Sequence, residues 1–315
     1  MSDEQDANAP ELYRRFRPQK FSELIGQEEA MKALAEMGKS GKIPHVLLLQ
    51  GPSGTGKTTA ARILRKRLDC SDIDTREINA SDERGIDMVR DIIATMPLAP
   101  SGGKCKVYII DECQLLTQEA QSSLLKPLED TPAHVYIFLL TTDPQKLKKA
   151  ILTRATVLVF KKLDEAGLVA LVNRTLPSLP GVALDAEVVA KIAEAADGSA
   201  RKAMVILHAV SGLKTKDEQL KTITSASDST VTSFQLVQAV NRQGVTWGTL
   251  AGLLKEVETT GDEPESIRRA ILGYARKVLL SSGSSHAADV INAFKYNYFE
   301  SGAAGLAVDC YNLTH

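Results

Sequence analysis

The run GPSGTGKTT, Gly51 to Thr59, restricts the possible folds of this chain more than any other stretch. It fits Gly-x4-Gly-Lys-Thr. Before it comes HVLLLQ (His45 to Gln50), an unbroken apolar run, and after it TTAARILRKRL, whose Ala60, Ile63, Leu64 and Leu68 recur at helical spacing. A strand buried on both faces, a glycine turn and an amphipathic helix make the opening unit of a parallel sheet. The glycines let backbone N–H groups turn onto phosphate oxygens, and the helix N-terminus adds its positive end. The nucleotide loop is then Gly51, Pro52, Ser53, Gly54, Thr55, Gly56, Lys57, Thr58 and Thr59. Lys57 meets the outer phosphates and Thr58 offers its hydroxyl to a magnesium ion.

Further apolar runs predict the rest of the sheet: VYIID (Val107 to Asp111), VYIFLLTT (Val135 to Thr142), TVLVF (Thr156 to Phe160) and a weaker one around Arg76 to Ile78. Helices are predicted before the first strand, over 27–37, and between the strands, in IDMVRDIIATM with Ile86, Val89, Ile92, Ile93 and Met96 on one face. In an open parallel sheet ligands bind at the carboxyl ends of the strands. VYIID delivers Asp111 and Glu112 to such an end, Asp111 to hold magnesium through its water shell and Glu112 to orient and polarise an attacking water. A base next to the loop argues for ATP as fuel and against a purely structural nucleotide.

Beyond about Lys161 the apolar runs look helical. The stretch from Leu213 to Ser233 is rich in Lys, Ser, Thr and Asp and reads as containing a linker or domain boundary. Three parts are expected: a nucleotide-binding sheet domain over 1–160, a helical lid over 161–228 and a helical domain over 229–315. With 315 residues, 43% of them hydrophobic, the chain can bury cores of that number. A formal net charge of −1 gives no global pull toward nucleic acid, so any such contact must come from placed residues. Four cysteines, Cys70, Cys105, Cys113 and Cys310, form no CxxC pair and suggest reduced, mostly buried thiols. No apolar run approaches a membrane span, and the start, MSDEQDANAP, is acidic where a secretory leader is basic and then apolar; a cytoplasmic protein is expected.

Taken in order, LYRRFRPQKFSELIGQEEAMKAL, the nucleotide loop, the Asp111–Glu112 pair, TTDPQKLKKAILTRA and GSARKA resemble the ATPase subunits of sliding-clamp loaders within the AAA+ class. Most of these look like the tau/gamma subunit of the bacterial loader; EINASDERGIDMVRDI looks closer to the small subunits of replication factor C. The likeness covers about Leu12 to Leu207. It implies an AAA+ P-loop fold of class α/β with a helical lid and an all-helical collar. It also implies that Tyr13, Arg17, Pro18, Ile25 and Gly26, with Gln27 next to them, line the adenine side. By the same likeness Thr142 is the first sensor of the outer phosphate, with Thr141 beside it. Arg201 is the second sensor, reaching in from the lid, with Ser199 as N-cap of its helix. Arg154, in Thr153-Arg154-Ala155 where the family has Ser-Arg-Cys, stands as the arginine finger presented to ATP on the neighbouring subunit.

The implied partners are copies of the chain and a distinct subunit in a five-subunit ring, a sliding clamp and primer–template DNA, with no membrane. DNA would be gripped by its backbone, Arg84 and Arg90 being the local candidates on a helix started by Ser81 or Asp82. Two departures stand out. The family's four-cysteine zinc knuckle has only Cys70 and Cys105 in its interval, so ATP and Mg2+ are expected without zinc, and the long extension of tau is not expected. The mixture of motifs suggests a viral or divergent loader, acting in the host cytoplasm if viral. One competing reading is a Holliday-junction branch-migration motor, which shares the AAA+ core but ends in a winged helix that the tail gives no hairpin signal for. A DEAD-box-like helicase lacks its second sheet domain here. Another is a non-hydrolysing scaffold subunit, against which Lys57, Thr58, Asp111 and Glu112 all speak.

Overall fold

The apolar strands at the centre of one parallel sheet can be buried on both faces only if helices cover both, while the edge strands need not be. The computed structural model describes residues 12–40, 43–227, 231–260, 262–298 and 301–314. Its strands are β1 (Val46–Gln50), β2 (Thr75–Asn79), β3 (Lys106–Asp111), β4 (Val135–Thr141) and β5 (Thr156–Val159), in the order β2-β3-β4-β1-β5. Helices α1 (Leu12–Arg15), α2 (Glu28–Ser40), α3 (Lys57–Arg67), α4 (Ile86–Thr95), α5 (Gln118–Glu129) and α6 (Lys149–Leu152) accompany the sheet. One face of it packs Leu48, Ile110, Ile137 and Leu139 with Val89, Ile92 and Leu124; the other packs Leu47, Leu49, Val107, Ile109 and Phe138 with Leu34, Ala60 and Leu64. The alternation within single strands shows the two-residue side-chain period serving two cores.

That strand order decides where the site falls. Because β4 lies between β1 and β3, the carboxyl end of β1 adjoins that of β4 (Gln50 beside Thr141), which in turn adjoins that of β3 (Ile110 beside Leu139). The segments that follow these three strands therefore meet at one edge.

α7 (Glu165–Thr175) and α8 (Ala186–Ala195) follow β5, then α9 (Ala200–Ser211). The chain divides into two compact units, 1–204 and 205–315. In the second, α11 (Val231–Val240), α12 (Trp247–Thr260), α13 (Pro264–Ser282), α14 (Ser285–Ala293) and α15 (Gly302–Thr314) bury Leu236, Leu250, Ile271, Val290, Phe294 and Leu306 together. Glu265 opens α13 as a buried carboxylate, accepting from Arg268 Nη2 at 2.6 Å and Nε at 2.8 Å and from the Tyr298 backbone N–H at 3.0 Å. The Arg268 hydrogen bond above all holds it at about 2, against an ordinary 4.5. A carboxylate that binds its proton more weakly when folded lends stability that is complete above about 4.5 and is lost as the pH falls toward 2. Glu265→Gln should therefore flatten the acid side of the stability profile in that window, read as melting temperature against pH.

The Leu213 to Ser233 stretch, within which a linker or boundary is expected, holds the helix α10 (Lys216–Ser227). Its hydroxyls bond back to the helix, Thr222 Oγ1 to Glu218 O and Thr224 Oγ1 to Leu220 O, and Ile223 and Ala226 are buried; residues 228–230 lie outside the described residues. Two expectations need correcting. Helix α4 starts after Gly85, not at Ser81 or Asp82, because Asn79 closes a turn there, its Oδ1 accepting from Ser81 N and its carbonyl from Asp82 and Glu83 N. Ile93 is 42% exposed, so the apolar face of α4 is narrower than its spacing suggests.

Candidate nucleotide site

The loop 51–56 leaves β1 and enters α3 through three glycines, all at positive φ. Gly51 has φ +149, and a Cβ there would lie 2.1 Å from the Phe160 carbonyl oxygen. Gly54 has φ +73, and its Cβ would meet Ser199 Oγ at 2.0 Å and Arg201 Cβ at 3.2 Å. The loop thus nests between the end of β5 and the start of α9, close enough that only backbone fits. Gly51 N donates to Thr141 O (3.1 Å), which ties the loop to β4. Gln27, expected beside the adenine, is buried; it donates through Nε2 to Lys161 O (2.7 Å) and Thr55 O (3.4 Å) and accepts from Lys161 N (3.0 Å). It pins the loop to the segment that follows β5, a structural role its spacing does not reveal.

Lys57 Nζ donates to Gly51 O at 2.7 Å and Pro52 O at 2.9 Å. Burial pulls its ammonium below the ordinary lysine value, while Glu112 and Asp111 pull it back. Thr58 Oγ1 donates to Asp111 Oδ2 at 2.7 Å, so the two expected magnesium residues touch. Burial raises the Asp111 carboxyl and the Thr58 hydroxyl opposes it; a divalent cation at this point favours the ionised form. Glu112 holds a left-handed backbone, φ +49 and ψ 40, which costs a non-glycine residue about 1–3 kcal/mol and persists where the surroundings over-determine it. Its Oε2 accepts from Thr142 Oγ1 at 3.0 Å and from Gln114 Nε2 at 2.6 Å. Gln114 carries no signal in the sequence, being a lone polar residue in a loop.

Arg201 N donates to Gly54 O at 3.4 Å, and its guanidinium lies 5.0 Å from the Tyr13 ring centre, a cation–π contact. Ser199 Oγ accepts from Lys202 N at 3.2 Å and caps α9 as expected. Arg17 and Pro18 border a cleft of about 300 Å3 together with Arg62, Arg65 and Lys66 of α3 and Glu77 of β2. Ile25 is half-buried and Gly26, with φ +69, packs against Leu163. Arg154 stands apart from the loop's hydrogen bonds: it donates to Glu129 Oε2 (2.8 Å) and Ala150 O (3.0 Å). Arg84 and Arg90 are exposed, and Arg90 pairs with Asp87 at 2.8 Å on its own helix.

The donor set fits a nucleoside triphosphate with magnesium: a glycine cradle, a lysine at its mouth, and a hydroxyl against a carboxylate. Family models match for DNA polymerase III, delta subunit, over residues 74–164 and for Magnesium chelatase, subunit ChlI, over 20–85. Among solved structures, the Thermotoga maritima RuvB Holliday junction branch migration motor aligns with a TM-score of 0.53 at 22% identity, covering 75% of this chain and 84% of that one. A point mutant of the same motor gives 0.56 at 21%, covering 78% and 88%.

The fold is that of the AAA+ P-loop ATPases, a five-stranded parallel sheet followed by helices. Within that class, most of the chain is similar to the DNA polymerase III tau and gamma subunits. The tau subunit of Bacillus subtilis is 32% identical over 293 residues, 85% of this chain and 51% of its own. That of Escherichia coli is 31% identical over 292 residues, 85% and 45%, and the gamma subunit of Buchnera aphidicola 32% over 234, 68% and 64%. The chain spans about half the length of the tau subunits it matches. Among the described residues no helix is long and apolar enough to cross a membrane.

Proposed function

We propose that this chain is an ATPase subunit of a sliding-clamp loader, in which bound ATP drives clamp opening and DNA binding and hydrolysis releases the loaded clamp. The observation that carries the reading is the meeting of Thr58, Asp111, Glu112 and Thr142 at the carboxyl ends of β1, β3 and β4. Gly51 to Thr59 hold the phosphates, Lys57 the outer ones, and Tyr13, Arg17, Pro18, Ile25 and Gly26 the adenine side. Thr58 and Asp111 hold magnesium, which when bound neutralises charge on the phosphate oxygens. Glu112 orients the attacking water and takes its proton, Thr142 contacts the outer phosphate, and Arg201 reads the nucleotide from the lid. Arg154, partly exposed and away from its own loop's bonds, serves the neighbouring subunit.

The organisation we infer is a nucleotide domain over 1–160, a lid over 161–228 and a collar over 229–315. Copies of the chain and a distinct subunit form a five-membered cytoplasmic ring around primer–template DNA. Zinc has no place in this reading, since Cys70 and Cys105 are two thiols where a closed site needs four ligands. Similarity above 30% to tau and gamma, against 21–22% to RuvB, favours the loader over the branch-migration motor. Magnesium-dependent ATP turnover on primer–template DNA against a four-way junction tests it: the primer–template should stimulate more, and stimulation by the junction alone would support the motor. Arg84→Glu should weaken DNA-stimulated turnover, sparing the basal rate, and lower the salt dependence of binding by about 0.9 per lost duplex phosphate contact. Equal loss of basal and stimulated rates would count against Arg84.

A further inference from the structure

Two strand ends are joined at this site by one side-chain amide. Gln114 lies on the single 3-10 turn Cys113–Leu115 that follows Glu112. Its Nε2 donates to Glu112 Oε2 (2.6 Å) and to Thr142 Oγ1 (2.9 Å), and its Oε1 accepts from Thr141 Oγ1 (2.8 Å). The orientation of the amide follows from chemistry, since an ionised carboxylate only accepts and so must face the NH2. Both amide hydrogens are then used. Thr142 Oγ1, having accepted one, gives its own proton to Glu112 Oε2 at 3.0 Å, closing a triangle. Thr141 Oγ1 gives its proton to Gln114 and accepts from Asp143 N at 3.0 Å. Every donor then has an acceptor.

We propose that Gln114 is a positioning residue that couples Thr142, the residue facing the outer phosphate, to Glu112, the base. This rests on the ATPase reading of the same site. Two donors on Oε2 fix the rotamer of Glu112 and occupy that oxygen, whereas Oε1 has no hydrogen bond among the described residues and is left to accept the proton of the attacking water. Movement of Thr142 onto substrate shifts Gln114 and with it the carboxylate. Glu112 holds a left-handed backbone at the end of β3, and its side chain reaches Thr142 just past β4. Glutamine meets both needs of this position, since it spans from the turn to both threonines and supplies donors to the carboxylate and an acceptor to Thr141 at once.

The test uses the full chain under the conditions in which it turns over ATP fastest. Gln114→Met keeps length and removes the bonds; Gln114→Glu keeps shape and replaces the donors with a like charge. Each should lower kcat about 10–100-fold, the worth of hydrogen bonds to a charged group, with KM for ATP unchanged and the protein still folded at the assay temperature. In a Glu112→Gln background the same substitutions should add no further loss, because residues acting as a unit are non-additive. An unchanged kcat, a loss that multiplies with that of Glu112→Gln, or a loss that tracks KM or unfolding at the assay temperature would overturn the assignment. If Glu112→Gln itself leaves turnover intact, the ATPase reading falls first, and the two failures are told apart.

Discussion

Arg154→Ala should leave ATP binding by the isolated chain intact and cut ATP turnover of the full assembly by about 10³–10⁵, equivalent to about 4–7 kcal/mol of barrier. An arginine finger neutralises charge that develops on the transferring phosphoryl group, so its worth appears in the rate and little in ground-state affinity. Arg154 leaves the chain just after α6, is 31% exposed, and bonds none of the loop residues 51–59. Its own partner, Glu129, is 62% exposed. A pair that open to water contributes roughly 0–1 kcal/mol to stability, so the alanine variant should still fold. A turnover deficit then reports on the neighbour's site. Normal turnover by the variant in the full assembly would remove Arg154 from the mechanism and with it the requirement for a ring.

The second large effect belongs to Glu112→Gln, which should reduce turnover by about 10²–10⁴, the usual contribution of a positioned general base. The substitution is isosteric, and its amide oxygen can still accept from Gln114 and Thr142, so ATP binding and the fold should survive. With hydrolysis blocked, the ATP-bound form should accumulate and hold DNA longer, measurable as a slower dissociation of primer–template. A scaffold subunit that never hydrolyses ATP would show no change in either quantity.

How much of this is legible in the sequence depends on whether a feature is local. The strands β1, β3, β4 and β5 are visible because each is an apolar run, and β2, with Arg76 and Glu77 in its middle, is weak because only Ile78 is buried. The glycine loop with Lys57 and Thr58 is visible because these residues sit at fixed spacing in one run, and Asp111 and Glu112 because they end an apolar strand. The start of α4 is misplaced because Ser81 and Asp82 are good caps, yet a turn closed by Asn79 competes with a cap there. The polar α10 is missed because hydroxyl side chains that satisfy themselves on their own helix look like a linker in one dimension. Gln114 and Glu129 are illegible for a different reason. Their partners, Thr142 and Arg154, lie 28 and 25 residues away, and only the sheet order brings them within reach.

If ATP hydrolysis by this chain serves clamp loading, its turnover must respond to the clamp. ATP turnover is therefore to be measured for the chain with its candidate partner subunit, with primer–template DNA, with a sliding clamp, and with both together. Joint stimulation greater than either alone is the predicted result. Turnover indifferent to the clamp, or none under any of these conditions, would contradict it.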